Sequence, residues 1–276
     1  MMQENSNLYT SSRIEAPEEF SDVFSHFYQA QNTSSESISK MLLPSFQTIL
    51  IFSFGLQPTM IHTLTDTRID IDRCLVLGPV KKAFRYSLPP GSNILVANFK
   101  NDAFFRFFGQ AVIEGHFSVH PDQLLGENCF TDLWTQLSIL KDTHERIHYI
   151  LEYCRPYLRP RNTVAEALSD FSHKSLNPVK AVASLQNQTE RTVQLSHKKF
   201  LGYTAKEASR YRRFLKAVMH IQNVLESSGK VEWFDIISEC GYYDQSQLIH
   251  DFNHYLHISP TRYLKFQEDI CISENR

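Results

Sequence analysis

The sequence predicts an α+β protein of two domains, a β-rich N-terminal half followed by an all-helical C-terminal region. Short apolar segments broken by proline and glycine fill the chain up to about residue 100, and apolar residues recur at helical spacing throughout from Pro178. The length of 276 residues fits two domains, since one domain usually has ~100–200 residues. We therefore expect a first domain at 1–160, a linker at 161–176 and a second domain at 177–268.

The N-terminal half contains four segments that are short, apolar and rich in β-branched or aromatic residues. Strands of this length and spacing are typical of a small barrel or sandwich. From Asp102, which is placed to cap a following helix, the pattern becomes helical, and two longer amphipathic helices are predicted after it. The predicted strands are 46–54, 74–77, 83–88 and 94–99, and the two longer helices are 130–140 and 144–158.

The C-terminal region contains a weak internal repeat at an offset of 55 residues. Each copy has a short apolar helix, a residue that tolerates positive φ, and a second helix; the tolerant residues are Asn187 and Gly241. This order predicts two helix-turn-helix units. The aligned pairs are Thr189 with Asp244, Val193 with Leu248, Phe200 with Tyr255, Leu201 with Leu256 and Thr204 with Ser259.

Capping residues support the predicted helix boundaries. Thr189 and Asp244 are suitable N-caps for the second helix of each unit. Thr204, with Glu207 three residues later, forms a capping box that opens one long connecting helix. Ser259-Pro260 supplies an N-cap and an N1 proline for the last helix.

The charge distribution points to nucleic acid as a partner of the C-terminal region. Residues 1–160 hold 13 basic and 17 acidic side chains, whereas residues 177–267 hold 12 basic and 8 acidic ones. A helix fits the major groove of double-stranded DNA and reads base edges from its N-terminal half. The predicted base contacts are Arg191, Thr192, Gln194, Leu195, Ser246, Gln247 and His250. The predicted phosphate contacts are Lys198, Lys199, Asn253 and His254.

The stretch 234–264 resembles the signature of the AraC/XylS family of bacterial transcription regulators. The resemblance rests on Gly241 followed by an aromatic residue, the run Asp244-Gln245-Ser246, Phe252 on the inner face, and Ser259-Pro260 before Tyr263. Residues 177–214 resemble the first helix-turn-helix of that family and the start of its linker helix. The family likeness implies a C-terminal DNA-binding domain with two such units and a cupin-like N-terminal sensor barrel.

Four positions depart from the family pattern. His197 replaces an aromatic residue that packs the first unit, and His257 stands where a glycine commonly ends the second recognition helix. His250 occupies a position where a long polar residue is frequent, and Asp251 adds an acidic charge beside it. The first two bear on local packing, and the last two bear on sequence preference and affinity.

Other kinds of site have weaker support. Twelve histidines include pairs at 144/148, 250/254 and 116/120, but no HExxH and no converging Cys/His set accompanies them, so no metal and no cofactor is expected. No GxSxG motif or phosphate-binding glycine loop is present, so no catalytic residue is assigned. Phenylalanines 104, 105, 107 and 108, with Phe84, Tyr86 and Phe99, fit an apolar ligand pocket, although such clusters are more often core.

These observations predict a cytoplasmic, effector-responsive activator that binds DNA as a homodimer and positions RNA polymerase. Five scattered cysteines without a CxxC motif favour reduced thiols, and no apolar run is long enough to span a membrane. The residues at the start lack the pattern of a secretory signal. The apolar face of the helix at 143–157 is the expected dimer contact. Two alternatives remain: a cupin-type enzyme with a helical interaction module, and an architectural DNA binder without an effector.

Overall fold

The computed structural model describes residues 9–113, 118–169, 171, 177–227, 230–265 and 270–271. In these residues the N-terminal region has strands in two sheets followed by five α-helices, and a short strand lies between the first and second of these helices. Its strands are β1 (Tyr9–Glu15), β2 (Phe24–Asn32), β3 (Ile38–Leu42), β4 (Ile49–Gly55), β5 (Thr59–His62), β6 (Arg68–Asp70), β7 (Cys74–Leu77), β8 (Phe84–Leu88), β9 (Ser92–Phe99) and β10 (Ser118–Val119). Its helices are α1 (Ala103–Phe108), α2 (Pro121–Leu125), α3 (Cys129–Ile139), α4 (Thr143–Cys154) and α5 (Thr163–Ser169).

The C-terminal region is helical, as the sequence predicts, and its last described element is a short strand. Its elements are α6 (Pro178–Leu185), α7 (Glu190–Leu201), α8 (Ala205–Glu226), α9 (Trp233–Cys240), α10 (Gln245–Leu256), α11 (Pro260–Lys265) and β11 (Ile270–Cys271). Strand β11 pairs in parallel with β3, so the last described segment of the chain joins an N-terminal sheet. Within the described ranges, no helix combines the length and apolarity that crossing a bilayer requires.

The strands form two separate sheets rather than one closed barrel. One sheet has the order β1-β2-β9-β4-β7-β10 and the other the order β11-β3-β8-β5-β6. In the described part of the chain, no pairing joins the two sheets, so the expected barrel is an open two-sheet sandwich. The fold class is confirmed: a β-rich N-terminal region with helices, followed by two helix-turn-helix units.

Strand β4 explains how the N-terminal region is layered. Ile49 and Ile51 face the five-stranded sheet, whereas Leu50, Phe52 and Phe54 face a second core that contains the helices α1, α3 and α4. Since alternate side chains of a strand point to opposite faces, a continuous apolar run is required where both faces are covered. The six-stranded sheet is therefore the middle of three layers.

The helices after β9 differ from the sequence predictions in two respects. Asp102 lies at the N-cap position of α1 but makes no capping hydrogen bond, and it pairs instead with Arg161 at 3.4 Å. The apolar face of α4, which predicted a dimer contact, is buried in its own chain through Ile147, Ile150 and Leu151. The apolar spacing in this helix therefore reflects packing within the N-terminal core, and it is no longer evidence for a dimer contact.

Helix α5 occupies part of the segment predicted as a linker. Val164 and Leu168 are buried against the first helix-turn-helix unit, in a cluster with Val179, Val182 and Val193. The segment 163–169 is therefore packed structure. This helix has only seven residues and polar flanking segments, so its apolar residues at helical spacing were not recognised in the sequence.

Candidate nucleic-acid interface

Local capping and turn chemistry build the first unit as predicted. The Asn177 side chain caps α6 by accepting hydrogen bonds from the backbone N–H groups of Val179 and Lys180, at 3.0 and 3.3 Å. Asn187 adopts the left-handed conformation with φ of 52°, which turns the chain between the two helices. Thr189 then caps α7 by accepting from the Thr192 backbone N–H at 3.2 Å. These contacts fix where the recognition helix begins.

The N-terminal half of α7 presents the four predicted base-contact residues to solvent. Arg191, Thr192, Gln194 and Leu195 are all exposed, and Leu195 is 62% exposed. Val193 is fully buried and anchors the opposite face of the helix. A guanidinium, an amide and an isobutyl group therefore point outward. Each of these groups is of a type that pairs with a base edge in the major groove of DNA.

The second unit repeats this construction on α9 and α10. Gly241 ends α9 with φ of 79°, a left-handed conformation that favours glycine. Asp244 caps α10 by accepting from the Gln247 backbone N–H at 2.8 Å. Ser246 and His250 are exposed on the outer face of α10. Both predicted recognition helices therefore begin at the predicted caps.

Gln247 is less open than the other predicted base contacts. It is half-buried, and its Oε1 accepts a hydrogen bond from the Tyr243 backbone N–H at 2.9 Å. Bidentate pairing with adenine uses both the oxygen and the nitrogen of a glutamine amide. In the present rotamer the oxygen already accepts one hydrogen bond, so bidentate pairing requires its second lone pair or a change of rotamer.

The predicted phosphate contacts divide into free and covered side chains. Lys198 and Asn253 are exposed. Lys199 is exposed as well, with its Nζ 6.0 Å from the centre of the Phe105 ring of the N-terminal region. His254 is half-buried, and its Nδ1 lies 2.9 Å from Lys82 Nζ.

His254 is consequently not available for a phosphate in this arrangement, contrary to the prediction. Lys82 also donates to the His254 backbone oxygen. Burial, and then the positive charge of Lys82, lower the pKa of His254 to about 4, so its imidazole is neutral at pH 7. Lys82 and its loop are far from His254 in the sequence. The residues of α10 alone therefore predicted that the His254 side chain is free.

Asp251, whose acidic charge was expected to bear on sequence preference and affinity for DNA, faces inward. The residue is 1% exposed. Its carboxylate accepts hydrogen bonds from Arg210 Nε at 2.7 Å and from Arg213 Nη2 at 2.8 Å. The two arginines lie on α8, so the ion pairs join the second recognition helix to the connecting helix. The inward spacing of Leu248, Asp251 and Tyr255 is the signal in the sequence that could have located this residue.

The two unusual histidines also have structural roles. His197 is buried, and its Nδ1 lies 2.6 Å from the Tyr203 backbone oxygen, while burial lowers the pKa of its imidazole. His257 ends α10 with φ of 57°, in the left-handed region where a glycine would be free of strain. His197 thus replaces aromatic packing with a polar contact to the following turn.

An aromatic and hydrogen-bonded interface joins the N-terminal region to the helices. Phe46 stacks on Tyr211 with ring centres 4.4 Å apart, and Tyr211 donates from its hydroxyl to the Pro44 oxygen at 2.7 Å. The Ala83 N–H donates to the Tyr255 oxygen at 2.9 Å. We call this set of contacts, together with the contact between Lys82 and His254, the interdomain contact.

The histidine pairs noted in the sequence lie on separate elements of the structure. His144 and His148 are exposed on α4, and His116 lies outside the described residues. Among the residues the structure describes, no group of three or more His, Cys, Asp or Glu side chains is arranged to hold a metal ion.

The phenylalanine cluster is divided between several environments. Phe99, Phe104, Phe107 and Phe108 pack in the core that contains the helices α1, α3 and α4. The aromatic residues of β8 belong to the core between the sheets. The ring of Phe105 instead contacts Phe200 on α7, with centres 4.8 Å apart. The seven aromatic residues therefore do not line one pocket, and most of them are core.

Comparisons with known proteins give structural likenesses only. No protein-family model and no curated protein matches the chain. ToxT from Vibrio cholerae O395 is similar with 9% identity and a TM-score of 0.41, over 94% of this chain and 98% of that one. Unsaturated fatty acid-bound ToxT from Vibrio cholerae strain SCE256 has 13% identity and a TM-score of 0.38, over 95% and 97% of the two chains.

A further likeness covers a smaller share of the chain. An RmlC-like cupin protein from Desulfovibrio desulfuricans is 10% identical with a TM-score of 0.27, over 36% of this chain and 89% of that one. With TM-scores below 0.5, neither this likeness nor those to ToxT establish a function.

Proposed function

We propose that this protein is a sequence-specific regulator of transcription that binds double-stranded DNA through α7 and α10. The observation that carries the proposal is the pairing of two capped helix-turn-helix units whose second helices both present exposed polar side chains. A single helix with a polar outer face is commonplace. Two such helices in repeated units, joined by one continuous helix, form an arrangement suited to two grooves.

The length of α8 supports a binding mode in successive major grooves. Its 22 residues span about 33 Å at 1.5 Å per residue, close to the ~34 Å of one DNA turn. The capping box of Thr204 and Glu207 fixes its start, and the ion pairs of Asp251 attach α10 to it. In this mode Arg191, Gln194, Ser246 and His250 address base edges, and Lys198 addresses a phosphate.

The regulatory part of the proposal is an activator that positions RNA polymerase in a bacterial cytoplasm. Its N-terminal region is proposed as the sensor for a small-molecule effector and as the site of homodimerisation. The cavity between the two sheets measures about 50 Å³, lined by apolar side chains with His26 and Asn98 at its wall. A space of this size holds only a few atoms, so a sensor role there requires the sheets to separate.

The test is selection of bound sequences from a random DNA library by the full-length protein, followed by affinity measurements on the selected site. The variant Arg191→Ala/Gln194→Ala/His250→Ala should lose most of the preference for that site, and Lys141→Ala in the N-terminal region should keep it. If the wild-type protein enriches no sequence, the proposal is wrong, and the cupin-type enzyme and the architectural binder become the candidates.

A further inference from the structure

A second and larger cavity lies on the helical side of the N-terminal region. It measures about 240 Å³ and is enclosed by α1, the loop between α2 and α3, the end of α4 and the segment that follows it. All of its lining residues precede α5, so it is separate from both recognition helices. It is also separate from the small cavity between the sheets, with which it shares no lining residue.

Four aromatic rings form a closed circuit in the wall of this cavity. Phe107 contacts Phe130 at 6.4 Å and Tyr157 at 6.3 Å, measured between ring centres. Tyr153 contacts Phe130 at 5.9 Å and Tyr157 at 5.8 Å. Rings at these separations are tilted or edge-on to one another, which is the arrangement that accepts a further aromatic ring favourably.

Two side chains of opposite charge also line this cavity. Arg159 and Glu127 both line the cavity and both are exposed. Neither side chain has a hydrogen bond or an ion pair with any residue that the structure describes. The neighbouring Arg155 differs, since it is paired with Glu19 and Glu152.

The backbone at Arg159 is held in place, so its side chain starts from a fixed point beside the cavity. The Arg159 carbonyl accepts a hydrogen bond from Arg106 Nε at 2.7 Å, and Arg106 in turn binds Asp22 at 2.7 Å. A pocket with preset polar groups and an aromatic wall has the composition of a small-molecule site.

We propose that this cavity binds an aromatic amino acid with a single ring, such as phenylalanine or tyrosine. The ring packs against the aromatic circuit, the carboxylate binds the Arg159 guanidinium, and the ammonium group binds the Glu127 carboxylate. An engineered apolar cavity of about 150 Å³ holds benzene, so 240 Å³ accommodates one ring with a short polar chain. The two side-chain charges of opposite sign complement the two charges of an amino-acid zwitterion.

The position of the site connects it with the proposed regulation, and this role as an effector site rests on the proposed function. Arg159 begins the segment that leads to α5, and α5 packs against the first helix-turn-helix unit. A ligand that binds Arg159 therefore restrains the segment between Arg159 and α5, and through α5 it restrains the first helix-turn-helix unit. Binding of the amino acid itself does not depend on DNA.

Isothermal titration calorimetry of the full-length protein without DNA tests the site directly. L-phenylalanine and L-tyrosine are titrated, with 3-phenylpropionate lacking the ammonium group and phenethylamine lacking the carboxylate. We expect saturable binding of at least one amino acid and at least ~tenfold weaker binding of both analogues, because each loses a charge-assisted hydrogen bond. Arg159→Ala and Glu127→Gln should each weaken binding by a similar factor, and Arg155→Ala should leave it unchanged.

Three results overturn the proposal: no binding of either amino acid at millimolar concentration, binding to Arg159→Ala as tight as to the wild type, or equal affinity for 3-phenylpropionate. Equal affinity for 3-phenylpropionate removes the role of Glu127 and with it the amino-acid class. A protein that binds the amino acid but no DNA refutes the proposed function and leaves this site standing, so the two failures are distinguishable.

Discussion

Asp251 shows how one residue can reverse its expected role when its surroundings are known. In the sequence it is an acidic charge beside the proposed reading face, whereas in the structure it is buried and neutralised by two arginines of α8. When one partner of a buried ion pair is removed, the remaining charged groups are left without a partner. The free-energy cost of these unpaired charges exceeds the net stabilisation that the ion pair provided.

The variant Asp251→Asn tests this role. It should lower the free energy of unfolding by about 1–3 kcal/mol, since it removes the charge that two partly exposed arginines share. Urea unfolding of the two proteins measures the difference, with Asp235→Asn as an exposed control in the same region, expected within about 0.5 kcal/mol of wild type. Equal effects of the two substitutions would show that the buried ion pairs contribute nothing.

Arg191 and Lys198 test the distinction between reading and anchoring. Arg191→Ala should cost about 1–3 kcal/mol and relax the preference at one base position, because an arginine in the first turn of α7 reaches a base edge. Lys198→Ala should weaken binding to all sequences and reduce the salt dependence by about one unit of slope. Binding to single-base operator variants at two salt concentrations separates these outcomes, and the opposite pattern would reverse the two roles.

At the scale of elements, the continuity of α8 determines how the two units are spaced. Val218 lies in the middle of this helix and is 1% exposed. Proline at that position removes a helical hydrogen bond and clashes with the preceding turn, at a cost of ~3 kcal/mol or more. Alanine shortens the side chain but keeps the helix.

Val218→Pro should therefore abolish high-affinity binding to a two-groove operator, whereas Val218→Ala should retain it in the folded protein. Circular dichroism establishes the temperature at which each variant is folded, and affinity is measured below it. A folded proline variant with wild-type affinity would mean that the spacing of the units does not depend on an unbroken helix.

The interdomain contact carries a pH dependence whose sign follows from His254. Burial and Lys82 lower the pKa of His254 to about 4 from its ordinary value of 6.5. A lowered histidine pKa means that the contact is stable above pH 6.5 and weakens as the pH falls toward 4. His62 and His257 also have lowered pKa values, caused first by burial and then by nearby positive charge, so they act in the same direction.

Hydrogen exchange at the Ala83 amide measures this effect, because that N–H donates to Tyr255 across the contact. After correction for intrinsic rates, protection should fall by about 1 kcal/mol, or about fivefold, between pH 7 and 5. The full shift of the His254 pKa corresponds to about 2 kcal/mol over this interval, and solvent screening around the partly exposed imidazole reduces it. His254→Gln keeps an acceptor for Lys82 but cannot be protonated, so its profile should be flatter. The exposed His144→Gln should match wild type, and a His254→Gln profile as steep as wild type would exclude His254 as the titrating group.

Local chemistry explains which parts of the architecture were predictable from the sequence. The turns at Asn187 and Gly241 and the caps at Thr189, Asp244 and Thr204 depend on neighbouring residues only, and the structure confirms each of them. The strands β1 and β2 were missed because their polar and apolar residues alternate weakly. The covering of His254 by Lys82 was not predictable, since the two residues are 172 positions apart.

For the whole molecule, the pairing of β11 with β3 means that the helical region is tethered to the sheets at both of its ends. A segment held at one end can diffuse away from its partner, whereas a segment held at both ends keeps the surfaces at a high effective concentration. The interdomain contact can therefore be individually weak and still remain closed. Separation of the helices from the sandwich then requires the release of one short strand, after which only the covalent connection at the other end of the helical region holds the two regions together.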